Sequence, residues 1–216
     1  MVDDEDNWPL PEYNPGPQKH LHALGAISTN FNEFETRLFG LFAHHLDVKK
    51  VPRKVIDALY FQGSEAQRLE NIKLVYRECE ADEPVRECVS RLVLYFKWCS
   101  DTRNALVHSR HDPPFFGHDQ NTLHLTKRVK KTSERGFLKL KLTTLRNVAD
   151  KIRIGERLCL NLIIHLQLRD TPTAEWSTAM QLLAPTDLPV IPDAPPRLEL
   201  SQTPHTPPPP SYLRRK

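Results

Sequence analysis

The chain has 216 residues, a formal net charge of +3 and 39% hydrophobic residues, which is typical of one globular domain with extensions. No apolar run in the sequence approaches the roughly 20 residues needed to span a membrane, so no membrane partner is expected. The acidic first 16 residues contain no Lys or Arg, which argues against a secretory signal and favours a cytoplasmic location.

Residues 1–16 are predicted to be a disordered acidic N-terminus, followed by a helical domain over 17–169. Apolar residues recur at helical spacing through most of its first half. Ser64 and Gln67 resemble a capping box, and Asp82 followed by Pro84 is typical of a helix start. The first four helices are predicted at about 20–46, 52–60, 64–80 and from 82 to a point before the paired prolines 113–114.

The period of the apolar residues changes from helical to alternating after this fourth helix. The alternation at 122–129 and 137–142, around a turn-like stretch, predicts a β-hairpin within about 121–144. A last helix is predicted at about 145–168. The fold class is therefore all-α: an antiparallel bundle of about five helices with a β-hairpin insertion before the last helix.

Residues 170–216 are predicted to be a disordered Pro-rich tail. Eleven of these 47 residues are proline, which fixes φ and removes backbone donors, so helices and strands are disfavoured. A flexible spacer and a polyproline ligand for a partner domain are both compatible with this composition.

The fourth predicted helix carries Arg103-Asn104-Ala-Leu-Val-His108 near its end. Its apolar stripe continues to Cys99, meets Arg103 and resumes at Leu106. A guanidinium on such a stripe is costly unless it is paired, lies at an interface or binds an anion. His108 is expected at the helix terminus beside a loop, where a substrate can reach it. As an alternative, Arg103 is an ordinary ion-pair residue and His108 only caps the helix.

A helical bundle with Arg-Asn-x-x-x-His late on a long helix resembles the HEPN superfamily. The resemblance covers 17–169, with Arg103, Asn104 and His108 at the motif positions. It implies a metal-independent endoribonuclease, such as a toxin or a defence or stress effector. It also implies a homodimer whose two motifs face each other across a two-fold axis.

The motif residues suit in-line attack by a ribose 2′-hydroxyl. An imidazole with an ordinary pKa near 6.5 can accept or donate a proton, which is the expected role of His108. Arg103 would stabilise negative charge on the phosphoryl oxygens. Asn104 would orient the histidine or bind a phosphate oxygen.

Basic residues near the motif are the expected RNA contacts. Residues 121–146 hold eight Lys or Arg against one Glu, a net charge of +7 that favours phosphate binding. A solvated hairpin face is the competing interpretation. The residues expected to bind RNA are Arg110, His111, Lys127, Arg128, Lys130 and Lys131.

No metal or other cofactor is expected. His44 and His45 are adjacent, so their rings would point about 100° apart on a helix, and no third ligand can be placed from the sequence. The cysteines form no Cys-x-x-Cys pair and are expected to be reduced thiols on helices.

Two other functions are compatible with the sequence: a non-catalytic HEPN-like helical module that binds RNA or protein, and a structural dimer. RNA, a second copy of the chain and a regulatory protein such as an antitoxin are the expected partners of the nuclease.

Overall fold

The computed structural model describes residues 18–111, 122–128, 135–170 and 187–198. Within these residues the chain is mostly helical and has a small antiparallel sheet before the last helix, which confirms the predicted fold class. The elements are α1 (Gln18–Val48), α2 (Arg53–Phe61), α3 (Glu65–Cys79), α4 (Glu83–Val107), β1 (Arg110–His111), β2 (Thr122–Arg128), β3 (Arg135–Lys141) and α5 (Leu142–Asp170). The predicted acidic N-terminus lies outside the described residues.

The helix starts follow the local sequence. Ser64 precedes α3 in extended conformation, and its side chain accepts a hydrogen bond from the backbone N–H of Gln67 at 3.3 Å, as the capping-box pattern predicts. Pro84 is the second residue of α4, where its missing N–H costs no helical hydrogen bond. Lys50 has a φ of 58°, and this left-handed residue lies in the short link between α1 and α2.

The described chain divides into two compact units. The sheet unit comprises residues 18–28, 101–111, 122–128, 135–149 and 197–198, and the helical unit comprises 29–100, 150–170 and 187–196. The helices α1, α4 and α5 each contribute residues to both units.

The helical unit has an aromatic core. The ring centroids of Phe31 and Phe34 lie 5.2 and 5.0 Å from that of Phe96, and all three side chains are buried. Gly155 on α5 faces this cluster, where a Cβ would lie 2.6 Å from Phe34 Cε1 and 2.8 Å from Tyr95 Cε1. The missing side chain therefore lets α5 approach these rings closely.

The sheet unit buries one face of a three-stranded sheet with the order β1-β2-β3. Leu123 and Leu125 on β2 pair with Leu140 and Leu138 on β3, and all four are buried. Lys139 and Lys141 alternate with them and are exposed. The hairpin is therefore confirmed, with its apolar face inside. The strand β1 was not predicted.

Part of the Pro-rich tail is packed. Residues 187–198 contain no helix or strand, as proline predicts. However, Ile191 is buried, the Sγ of Cys88 donates to the Pro189 carbonyl, and Trp98 Nε1 donates to the Pro196 carbonyl. This segment therefore contributes to the core of the helical unit, whereas the sequence suggested only a tail outside it.

None of the helices in the described ranges is both long enough and apolar enough to cross a membrane.

Candidate functional site

The predicted motif lies at the carboxyl end of α4, in the sheet unit. The helix ends at Val107, six residues before the paired prolines, and His108 is the first residue beyond it. The backbone N–H of His108 still donates to the carbonyl of Asn104 at 3.2 Å. His108 therefore lies at the helix terminus, as predicted, and its side chain is exposed.

Arg103 and Asn104 contact each other directly. The Nη1 of Arg103 donates to Oδ1 of Asn104 at 2.9 Å, and both side chains are half-buried. Asn104 is thus hydrogen-bonded to Arg103 through its side chain and to His108 through its carbonyl. A planar guanidinium held from one side keeps its other N–H groups in a fixed direction, which suits an anion acceptor.

Arg103 interrupts an otherwise buried stripe, as the spacing predicted. Cys99 is fully buried before it and Leu106 is buried after it. Asp101, two residues before Arg103, accepts a hydrogen bond from Arg197 at 3.1 Å. The carboxyl-terminal segment therefore reaches the motif helix within the sheet unit.

The short strand β1 joins the motif to the basic hairpin. It begins two residues after His108, and Arg110 pairs with Thr126 while His111 pairs with Leu125. Thr126 directly precedes Lys127 and Arg128, two of the residues expected to bind RNA. The backbone ladder thus places four of those six residues in one pair of strands.

The structure locates the expected RNA-binding residues to different degrees. The backbones of Arg110, His111, Lys127 and Arg128 are placed in strands. Lys130 and Lys131 lie outside the described residues. By register, positions 110, 128, 135, 139 and 141 fall on one face of the ladder, opposite the buried leucines, whereas positions 111 and 127 fall on the leucine face. The sequence grouped these positions only by charge, because β1 is too short to show an alternating pattern.

A second cluster of ionisable residues lies in the helical unit. The Nε2 of His44 is 2.8 Å from Asp170 Oδ2, and the Nε2 of His45 is 3.1 Å from Glu80 Oε2. Arg169 joins the two carboxylates, with Nη2 at 2.8 Å from Glu80 Oε2 and Nε at 2.7 Å from Asp170 Oδ1. Both histidines and Glu80 are buried.

The electrostatics of this cluster follow from burial and pairing. Burial would raise the pKa of Asp170, but hydrogen bonds from Arg169 and His44 outweigh it and lower this pKa to about 2. Burial opposes ionisation of Glu80 as well, yet hydrogen bonds from Arg169 hold its pKa below the ordinary value. Burial lowers the pKa of His45, although Glu80 acts in the opposite direction.

The sequence could not assemble this cluster, because its members are far apart in the chain. His44 and Asp170 are 126 residues apart, and His45 and Glu80 are 35 apart. The adjacent histidines were the only local signal. The His44–Asp170 and His45–Glu80 pairs form only when the carboxyl ends of α1, α3 and α5 come together.

The four cysteines are free thiols, as expected. Cys88, Cys99 and Cys159 are buried, whereas Cys79 is exposed. Burial raises the pKa of the Cys88 thiol to about 11, which makes it a poor nucleophile at neutral pH. The three buried thiols therefore serve as packing residues.

Comparison of the chain with known proteins found no matching family model, no similar curated protein and no similar solved structure.

Proposed function

We propose that this protein is a metal-independent endoribonuclease of HEPN type. Arg103, Asn104 and His108 are its catalytic residues, and RNA is its substrate. The observation that carries the proposal is the exposed His108 at the end of α4, one turn beyond the hydrogen-bonded pair of Arg103 and Asn104. A proton-transfer group and a fixed cation on one helix end are what 2′-hydroxyl attack on a phosphodiester requires.

His108 transfers the proton and Arg103 stabilises the developing charge on the phosphoryl oxygens. Cleavage of this kind leaves a 2′,3′-cyclic phosphate on the 5′ fragment and frees a 5′-hydroxyl on the other. Asn104 binds a phosphate oxygen or orients the histidine, and its Oδ1 also accepts the hydrogen bond that holds Arg103. A homodimer with facing motifs would provide two histidines, one for each proton transfer.

The test is incubation of the pure chain with total RNA in EDTA, at a temperature below its melting transition. We expect cleavage with cyclic-phosphate ends, and a loss of at least about 100-fold in rate for His108→Ala and Arg103→Ala. His22→Ala is the matched control, since His22 is also an exposed histidine and lies in the long helix α1. Its rate should equal that of the wild type. Unchanged cleavage by His108→Ala would end the nuclease proposal.

The basic residues of segment 121–146 are proposed to bind the RNA backbone. Phosphate contacts release counterions, so affinity should fall steeply with salt concentration. Replacing Lys127, Arg128, Lys130 and Lys131 by Gln should weaken binding and flatten the salt slope with little effect on sequence preference. An unchanged slope would move the RNA contact to Arg110 and His111.

The alternative function is a non-catalytic helical module that binds RNA or protein. It is favoured by the packed segment 187–198, which shows that α4 accepts an extended proline-bearing chain. Salt-dependent RNA binding without cleavage would support this alternative over the nuclease.

The nuclease proposal extends to assembly and biological setting. Light scattering should give a homodimer at micromolar concentration, and a monomer would remove the composite site.

A cytoplasmic toxin or defence effector with a regulatory protein such as an antitoxin would be consistent with four free thiols. Growth arrest on expression, relieved by His108→Ala, would test this part.

A further inference from the structure

We propose that His44, His45 and Asp170 form a binding site for a transition-metal ion, and that Zn²⁺ is the ion that fits. One ligand atom from each of these residues lies within 4.8 Å of the other two. Two imidazoles and one carboxylate are a donor set that zinc uses in proteins. The site is independent of the proposed ribonuclease, because it belongs to the helical unit and takes no part in the chemistry of His108.

Binding of the ion requires side-chain adjustments, because the three ligand atoms lie within 4.8 Å of one another and would end about 3.4 Å apart around zinc. Zinc–nitrogen and zinc–oxygen bonds of about 2.0–2.2 Å at a tetrahedral angle place neighbouring ligand atoms about 3.4 Å apart. The Nε2 of His44 and Oδ2 of Asp170 are 2.8 Å apart, so this pair would open by about half an ångström. In the metal-bound form Nε2 gives its lone pair to zinc, and the ring proton moves to Nδ1.

The charges around the cluster favour an additional cation. With both imidazoles neutral, Glu80 and Asp170 carry two negative charges, whereas Arg169 supplies one positive charge. The three helices involved, α1, α3 and α5, also have their carboxyl ends at this cluster. His44 and His45 lie in the last turns of α1, Glu80 caps α3, and Asp170 ends α5. The dipoles of all three helices place partial negative charge at these ends.

Neighbouring residues hold the ligands in place. Arg169 donates to both carboxylate oxygens of Asp170, from Nε to Oδ1 at 2.7 Å and from Nη2 to Oδ2 at 3.1 Å, and thereby fixes the carboxylate whose Oδ2 lies 2.8 Å from His44 Nε2. The Oε2 of Glu80 at 3.1 Å from His45 orients this ring from the other side. Such outer partners of metal ligands commonly fix ring direction and increase ligand basicity.

The ion can reach the site and bind a fourth ligand. The side chains of His44 and His45 are 8% and 7% exposed, whereas that of Asp170 is 20% exposed. Three protein ligands with one accessible side leave room for a water molecule as the fourth. The competing explanation is a closed ion-pair network that needs no metal, and this makes a different prediction.

The experiment uses the full chain with Cys79→Ser, since Cys79 is an exposed thiol that could bind zinc by itself. After removal of metal with a chelator, Co²⁺ is added as a spectroscopic probe and Zn²⁺ is titrated against a chromophoric chelator. We expect intense visible absorption from four-coordinate Co²⁺, one Zn²⁺ per chain and a raised melting temperature with Zn²⁺.

Asp170→Asn should weaken Zn²⁺ binding at least about tenfold, since even outer partners of metal ligands contribute that much. His22→Ala should bind Zn²⁺ like the parent. Circular dichroism checks that each variant is folded. If Asp170→Asn does not fold, His44→Gln replaces it as the test variant. Absence of saturable Zn²⁺ binding in the parent would overturn the proposal, as would equal affinity in Asp170→Asn and His22→Ala. RNA cleavage in EDTA is scored separately, so failure of either proposal leaves the other testable.

Discussion

At the scale of single residues, Gly155 shows how packing can override helix propensity. Glycine inside a helix costs about 1 kcal/mol relative to alanine, so the sequence alone suggests that alanine would stabilise α5. The Cβ of an alanine at this position would lie 2.6 Å from Phe34 Cε1 and 2.8 Å from Tyr95 Cε1. Both rings belong to the core of the helical unit, and Tyr95 is further fixed by donating to the Lys151 carbonyl at 2.9 Å.

We therefore expect Gly155→Ala to lower the free energy of unfolding by about 1–3 kcal/mol, because overpacking outweighs the gain in helix propensity. Gly25→Ala on α1 is the control. A Cβ there meets nothing within 4 Å, so this change should stabilise the protein by up to about 1 kcal/mol. Urea unfolding of both variants measures the difference. Stabilisation by both substitutions would show that the rings move aside freely.

The motif residues illustrate which features can be predicted at this scale. The Arg103 position on a buried stripe, the helix end beside His108 and the Ser64 cap all follow from local spacing, and the structure confirms them. The partners of Asp170 and Glu80 cannot be predicted from local spacing, because they depend on which distant helix ends meet in the folded chain. Local patterns thus predict where a residue lies along an element, whereas the His44–Asp170 contact depends on tertiary packing.

At the scale of elements, the hairpin makes a prediction about its two faces. Leu138 is buried and Lys139 beside it is exposed, as expected for alternation along a strand packed on one side. Leu138→Ala should lower the free energy of unfolding by about 2–5 kcal/mol, because it opens a cavity under β2 and β3. Lys139→Ala should stay within about 0.5 kcal/mol of the wild type. Thermal unfolding compares them, and similar losses would mean that the strand faces are misassigned.

The alternating residues made β2 and β3 predictable, but β1 has no comparable signal. A two-residue strand exists only because its backbone pairs with Thr126 and Leu125. The last helix was predicted to start near residue 145 and begins at Leu142, directly after β3. Strand and helix meet there without a turn, so the sequence offers no glycine or proline to mark the boundary.

At the scale of the whole molecule, the carboxyl-terminal segment is part of the folded structure. Ile191 is 2% exposed, whereas its neighbour Val190 is 84% exposed. Ile191→Ala should destabilise the chain by about 2–5 kcal/mol through loss of buried apolar surface. Val190→Ala is the matched control and should be nearly neutral. Chemical unfolding followed by Trp fluorescence is the measurement, and a neutral Ile191→Ala would show that the segment adds nothing to stability.

Composition correctly predicted that this segment has no helix or strand, but it could not reveal its packing. Prolines at 189, 192, 195 and 196 prevent regular hydrogen bonding. They leave carbonyl oxygens free as acceptors, and Cys88 and Trp98 donate to two of them. Apolar and acceptor groups on an extended chain are therefore enough for it to dock along a helix.

The attachment of this segment to α4 has a consequence for synthesis of the protein. Cys88 and Pro189, which are in contact in the folded chain, are 101 residues apart in order of translation. At about 5–20 residues per second, the ribosome adds Cys88 roughly 5–20 s before it adds Pro189. During this interval the nascent chain exposes the apolar surface that Ile191 later occupies. A chaperone that binds apolar helices thus has a defined period of several seconds in which to protect the unfinished protein.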